Sequence, residues 1–262
     1  MMKRLKRLLS GASVEVSEEN GLRMLHLGGD AIQSAMLLDA PDALALHYTR
    51  AMIGFMLFNT VPRDLLMIGL GGGSIARFVH ARMPATRITT VEINAKVVAA
   101  ARAFFGLPMD DERSQVIVAD GGDYVPANPM SADVLLLDAF DDGVAVTALC
   151  TERFYNACYA ALRDGGVFAQ NFIADEPKFI TYLQRLERSF EGRVLCLPTG
   201  DRVNMIVFGL KIDSRRLLVS DLKRAATKLE RKFGLPFNNM VADLLVTNER
   251  TTNYLKLTAQ GD

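Results

Sequence analysis

Tryptophan is absent from the 262 residues, and cysteine and histidine occur only three times each. Cys150, Cys158 and Cys196 are odd in number and show no ligand-like pairing, which argues against a disulfide framework or a zinc motif and suits a reducing cytoplasm. His26, His47 and His80 are scattered and form no metal motif, so no metal is expected. An excess of one charge is also missing: Lys+Arg and Asp+Glu both number 30. No global field therefore draws nucleic acid. No run is long enough to span a membrane. The basic start, Met1 to Ser10, lacks the apolar core of a signal peptide. It has the pattern to touch a membrane surface, but a solvated, frayed terminus is the plainer reading. Apolar residues, by contrast, make up 50% of the chain, enough to bury a full core.

The most informative run is Leu65-Leu66-Met67-Ile68-Gly69-Leu70-Gly71-Gly72-Gly73-Ser74. An apolar strand pattern breaks into glycines and continues as a helix. Downstream, Val91-Glu92-Ile93-Asn94 closes a second apolar run on an acid. Together they read as the first strand, turn and second strand of a Rossmann-type nucleotide site. Gly69, Gly71 and Gly73 let the backbone approach a ligand closely, and the helix start offers free N–H groups. Glu92, at its strand end, is placed to accept hydrogen bonds from two ribose hydroxyls.

Further strand candidates follow at 88–93, 115–119, 133–138, 166–171 and 204–210, with helical patterns between most of them. That alternation predicts an α/β fold, a doubly wound, mainly parallel sheet. Ahead of it, Leu22 to Leu27, Gly28-Gly29-Asp30 and Ile32 to Met36 predict a hairpin within a small N-terminal β cap over about 13–38. From Asp42 to about Asn59 the pattern is helical. Arg216 to Phe233 reads as an amphipathic helix, and Pro236 restarts a shorter one. Three segments result: 1–62, cap and connecting helix; 63–212, the nucleoside-binding catalytic domain; and 213–262, a helical end.

Acids close the next two strands as well. Gln115 to Ala119 runs into Asp120-Gly121-Gly122-Asp123, where Asp120 can accept from an adenine amine and Gly121 leaves room for the ring. Asp133 to Leu137 runs into Asp138-Ala139-Phe140-Asp141-Asp142-Gly143. Open α/β sheets bind ligands at these carboxyl ends. The plain alternative for any one acid is a helix N-cap, most readily for Asp123.

The order of Gly69-x-Gly71-x-Gly73, Val91-Glu92-Ile93, Ala119-Asp120-Gly121, Asp138-x-x-Asp141 and Phe154-Tyr155 resembles the spermidine synthase, or polyamine aminopropyltransferase, family. Gly166 to Gln170, Leu197-Pro198-Thr199-Gly200 and the strand with a glutamine, Leu25 to Gln33, extend the resemblance over about 20–212. The resemblance implies a Rossmann-type, methyltransferase-like fold and a transferase. Its co-substrate would be decarboxylated S-adenosylmethionine or S-adenosylmethionine, and its acceptor a small amine such as putrescine, in a homodimer. It gives Glu92 the ribose, Asp120 and Gly121 the adenine, and Gln33 a ligand contact from the cap. Asp138 becomes the catalytic carboxylate, and Asp141 and Gln170 help place the amine. An alkylamine with a pKa near ~10 is cationic at neutral pH, so a carboxylate must both attract it and take its proton.

The chain departs from the family at several points. Gly72 stands where the family carries an acid that faces the aminopropyl ammonium and repels the carboxylate of intact S-adenosylmethionine. Tyr48-Thr49-Arg50 stands for the family's Tyr-His-Glu, Leu197 for a tyrosine, and Asp142 for a proline. Asp141, Asp142, Asp175 and Glu176 are candidates to rebuild a cation-attracting site, or else form a solvated acidic loop. Two other functions stay open: a methyltransferase on the same scaffold, and a non-catalytic nucleoside-binding paralogue. A dehydrogenase fits worse, because the turn is not Gly-x-Gly-x-x-Gly.

Overall fold

A computed structural model describes residues 3–5, 14–27, 32–141 and 144–257. The first elements form a four-stranded antiparallel sheet of β1 (Lys3–Leu5), β2 (Val14–Glu19), β3 (Leu22–Leu27) and β4 (Ser34–Leu37), in that order. β3 pairs with β4 in antiparallel register, Leu25 opposite Ser34, as the hairpin reading requires. Gly28-Gly29-Asp30 itself lies outside the described residues. The long helical pattern before Pro62 resolves into the short α1 (His47–Met52) and a 3-10 turn over Ile53–Leu57.

β5 (Asp64–Ile68), β6 (Arg87–Glu92), β7 (Ser114–Val118) and β8 (Ala132–Leu137) alternate with α2 (Ser74–Arg82), α3 (Ala95–Phe104) and α4 (Gly121–Ala127). A two-residue ribbon, β9 (Phe140–Asp141) with β10 (Val144–Ala145), and α5 (Glu152–Ala161) lead into the long β11 (Leu162–Ile173). After α6 (Phe179–Ser189) come β12 (Val194–Pro198) and β13 (Asn204–Lys211). The sheet order is β12-β13-β11-β8-β5-β6-β7. β5, β6, β7, β8 and β11 run parallel, and β13 runs against both of its neighbours.

The three parallel strands expected at 88–93, 115–119 and 133–138 each lie one residue earlier at their start. The chain leaves the sheet as soon as the apolar run ends, so Asp120 and Asp138 stand in the loops and Glu92 on the last strand position. β12 was not expected from the sequence. Its Pro198 is tolerated because β12 is an edge strand. The end of the chain also differs from the expectation: Arg216–Leu218 is a strand, β14, before α7 (Val219–Phe233) and α8 (Phe237–Thr247). It pairs with β15 (Tyr254–Lys256).

The strand order reverses between β5 and β8, which opens a crevice at their carboxyl ends. At the opposite ends, Arg163 bridges Asp64 at 2.8 Å and Asp133 at 3.0 Å, tying β5, β8 and β11 together away from that crevice. One continuous apolar core joins the cap (Val16, Leu25), one sheet face (Met67, Leu136) and the last helices (Leu222, Leu244). A second core fills the other face under α5 and α6, around Tyr155, Phe168 and Phe190.

Candidate active site

The glycine turn is held by its own backbone. Gly69 (φ 91°), Gly71 (φ 52°) and Gly73 (φ 72°) all adopt left-handed conformations. Gly69 also passes so close to β8 that a Cβ there would stand 2.1 Å from the Asp138 carbonyl oxygen. Gly72 is different: its φ is not positive, and its constraint is steric. A Cβ at 72 would meet Ser34 Oγ at 2.8 Å and Phe105 Cδ1 at 3.0 Å. The cap strand β4 thus lies directly on the turn, where Ser74 Oγ donates to Ala35 O at 3.2 Å. The buried Arg77 guanidinium donates to the Gly72 carbonyl and, at 3.1 Å, to Pro41 O.

Glu92 is buried, and its carboxylate accepts from Leu70 N at 2.9 Å and Asn94 N at 2.8 Å. Burial raises its pKa, against those backbone hydrogen bonds. Each oxygen keeps acceptor capacity for a further donor, such as a ribose hydroxyl. Asp120, exposed, caps α4 by accepting from Gly122 N at 2.7 Å. The N-cap reading offered for Asp123 therefore falls to Asp120, three residues earlier. Gly121 packs on Ile68, whose Cγ2 would lie 2.5 Å from a Cβ at 121. Beside these acids Ile93 is 68% and Val118 54% exposed. Two large apolar side chains left open at adjacent strand ends suit the face of a flat base.

Asp138 follows β8 and accepts from Asn171 Nδ2 at 3.0 Å, and Asn171 Oδ1 in turn accepts from Asn204 Nδ2 at 3.0 Å. Tyr48, on α1, donates its hydroxyl to Gln33 O at 3.1 Å and lies within hydrogen-bonding influence of Asp138. Its single phenolic proton thus has two acceptors, and burial with the Asp138 charge pushes its pKa well up. Burial pushes Asp138 itself up to about 6, although the Asn171 and Tyr48 hydrogen bonds favour its charged form. Among the described residues no Lys or Arg pairs with it. An unpaired carboxylate in a half-buried position attracts a cation and takes a proton near neutral pH.

Asn171 and Asn204 were not expected in the site, and Tyr48 was expected only as the match to the family's Tyr-His-Glu, with no role given. The signal for Asn171 was present: Gln170-Asn171 is a polar pair inside the apolar run of β11, and buried polar side chains need partners. Gln170 faces away from Asp138, and its Nε2 donates to Cys150 Sγ at 3.4 Å. The Asp141 backbone lies in β9. Its side chain, with Asp142 and Gly143, lies outside the described residues. Among the described residues no group of three or more His, Cys, Asp and Glu is placed to hold a metal, and no helix is long and apolar enough to cross a membrane.

A sheet of this order, with a glycine turn and an acid on each succeeding strand end, defines a nucleoside-binding enzyme of the methyltransferase-like class. The chain belongs to the spermine/spermidine synthase family: the spermine/spermidine synthase domain matches residues 45–200. A polyamine aminopropyltransferase of Chromobacterium violaceum is 42% identical over 92% of this chain and 93% of its own length. The fold is also that of a spermidine synthase solved with the transition-state analogue AdoDATO. That structure has a TM-score of 0.69 and 23% identity, and the match covers 92% of this chain and 85% of that one. Human methyltransferase-like protein 13, solved with SAH, matches 72% of this chain and 93% of its own at 27% identity and a TM-score of 0.66.

Proposed function

We propose that this enzyme moves an aminopropyl group from decarboxylated S-adenosylmethionine to a primary amine such as putrescine, making a polyamine in the cytoplasm, as a homodimer. One observation carries the reading: among the described residues the Asp138 carboxylate has no cation partner at the end of β8, where it stands between Tyr48 and Asn171. Glu92, the glycine turn, Asp120 and the open Ile93 fit the ribose, the backbone approach, the adenine amine and the adenine face. Asp138 draws the alkylammonium in and accepts its proton. The freed nitrogen lone pair attacks the carbon next to the sulfonium, and the C–S bond electrons stay on sulfur as a neutral thioether. No acid is needed for that leaving group, so positioning and deprotonation suffice. Asn171 and Tyr48 fix the carboxylate, and Asn204 fixes Asn171.

A second reading, methyl transfer from intact S-adenosylmethionine, is favoured by one departure. Without an acid at 72, nothing in the turn repels the cofactor carboxylate. Ser34 and Phe105 leave little room for a side chain at 72. Gly72→Asp alone is expected to lower stability and nucleoside affinity, because its Cβ runs into Ser34. Combined with Ser34→Gly, the shortest contact is gone and only the Phe105 ring edge, 3.0 Å from the Cβ position, has to shift. The affinity ratio of decarboxylated to intact cofactor should then rise at least about tenfold over wild type, since an ammonium about 4 Å from a carboxylate gains a few kcal/mol. Calorimetry with both cofactors on the wild type and the two variants checks this. An unchanged ratio in the folded double variant would mean that position 72 does not face the aminopropyl end. The transfer reaction itself is tested by mass analysis of the products formed from putrescine and decarboxylated S-adenosylmethionine, with aminopropyl-extended putrescine and methylthioadenosine as the expected result.

A further inference from the structure

A cavity of about 480 Å³ opens at the end of β12, outside the site described above. Its walls are one face of α1 (His47, Arg50), the turn after Pro198 (Arg202) and α8 (Asn239, Asp243), over a floor of the buried Leu197 and Met240. Tyr48, Asp138, Asn171 and Asn204 do not line it. β12 lies three strands from β8, roughly 14 Å away. His47, Arg50 and Ala51, spaced as neighbours along a helix, share a face of α1 that Tyr48 does not.

The walls carry charge of both signs. Arg50 is held in place by donating Nε to Leu44 O at 2.6 Å and Nη2 to Ala45 O at 2.9 Å. Arg202 adopts a left-handed φ of 59°, a conformation that side chains take at a cost. Among the described residues, neither the Arg202 nor the Asp243 side chain has a hydrogen bond or an ion pair. Asp201, beside His47, is engaged in its own turn, accepting from Thr199 Oγ1 at 2.6 Å and Val203 N at 3.3 Å. Two guanidinium groups on α1 and the turn thus face a free carboxylate on α8. A guanidinium fork suits a carboxylate, and a carboxylate suits an ammonium. A simple anion would meet Asp243, and a simple amine would meet the arginines. A ligand with one charge of each sign, and an apolar body for the Leu197 and Met240 floor, meets neither penalty.

We propose that this cavity binds a small zwitterion, an α-amino acid with an apolar side chain, and that its occupancy is felt at Asp138. The carboxylate lies at Arg50 and Arg202, the ammonium at Asp243. The connection to Asp138 is short. α1 also carries Tyr48, which acts on Asp138. The turn is bonded to Asn204, whose N donates to Thr199 Oγ1 at 3.0 Å and whose Nδ2 holds Asn171 at 3.0 Å. A ligand that bridges α1 and the turn favours the arrangement in which both support the carboxylate. The binding itself goes beyond the aminopropyl-transfer reading and does not depend on it.

Norleucine is the probe, titrated calorimetrically into wild type, Arg202→Gln and Asp243→Asn. Wild type should bind it saturably and at least about tenfold tighter than N-acetylnorleucine, which keeps the carboxylate and side chain but lacks the ammonium. Each substitution should weaken norleucine about tenfold. Asp243→Asn should leave N-acetylnorleucine binding unchanged, which also reports that the variant is folded, and Arg202→Gln should weaken it. In the transfer assay with putrescine and decarboxylated S-adenosylmethionine, saturating norleucine should raise kcat about twofold or more without raising the putrescine KM. A rise in that KM would put the probe in the acceptor site and overturn the proposal. So would absent binding, inorganic phosphate binding in place of norleucine, or binding that leaves kcat unchanged. If neither cofactor supports transfer, the functional reading falls, and the calorimetric comparison still decides whether the cavity takes a zwitterion.

Discussion

Asp138→Asn is expected to slow aminopropyl transfer by roughly 10²–10⁴-fold, with little change in nucleoside affinity, while making the folded protein more stable at neutral pH. The two effects have one cause. Burial holds the Asp138 carboxyl at about 6 rather than its ordinary 3.8, so the fold favours the neutral form and the reaction needs the charged one. For a group raised in the folded state, the stabilising contribution is fully present below the ordinary pKa and is lost as pH rises through the folded one. Wild type therefore gives up stability between about pH 4 and 6, a window set by those two values. The asparagine variant, which never ionises, should be the more stable by about 1–3 kcal/mol at pH 7–8, and the difference should vanish below about pH 4. Activity of the wild type should fall as pH drops below about 6, when Asp138 holds a proton. Denaturant melts and rate–pH profiles of the pair check both signs. An Asp138→Asn enzyme as active as wild type would reduce Asp138 to a structural residue.

Gly69→Ala is expected to cost about 3 kcal/mol or more and to abolish nucleoside binding. The added Cβ falls 2.1 Å from the Asp138 carbonyl oxygen, a backbone atom that cannot step aside without moving the end of β8. Gly69 N also donates to Val91 O, and Asp138 N to Ile68 O, each at 2.9 Å, so the three strand ends shift together. Gly234 is the internal control. Its φ is also left-handed, at 69°, but nothing lies within 4 Å of its Cβ position. Gly234→Ala should cost only the left-handed strain, about 1–2 kcal/mol, and leave binding intact. If the two alanine variants melt alike, the close approach at Gly69 is not what constrains the turn.

The glycine turn and the strand-end acids were legible because a parallel α/β sheet writes each strand as an apolar run and each crossover as a break. Gly69, Glu92, Asp120 and Asp138 could be placed from spacing alone. What faces Asp138 could not. Asn171 and Asn204 meet through the antiparallel register of β11 and β13, and Tyr48 arrives from α1, far away in sequence. Local pattern carries no such register. Gly72 was legible as a departure but its surroundings were not: Ser34 and Phe105, distant in sequence, crowd its Cβ position. β12 is not legible from the sequence because Val194 to Pro198 is short and ends on a proline, and only its place at the sheet edge makes that proline acceptable.

The most direct measurement is mass analysis of the products formed by the purified protein given putrescine with decarboxylated S-adenosylmethionine, and in parallel with the intact form. The account predicts that the decarboxylated form yields putrescine extended by one aminopropyl group together with methylthioadenosine, and that Asp138→Asn yields far less of both. A methylated amine from the intact form, with no aminopropyl product from the decarboxylated one, would contradict it.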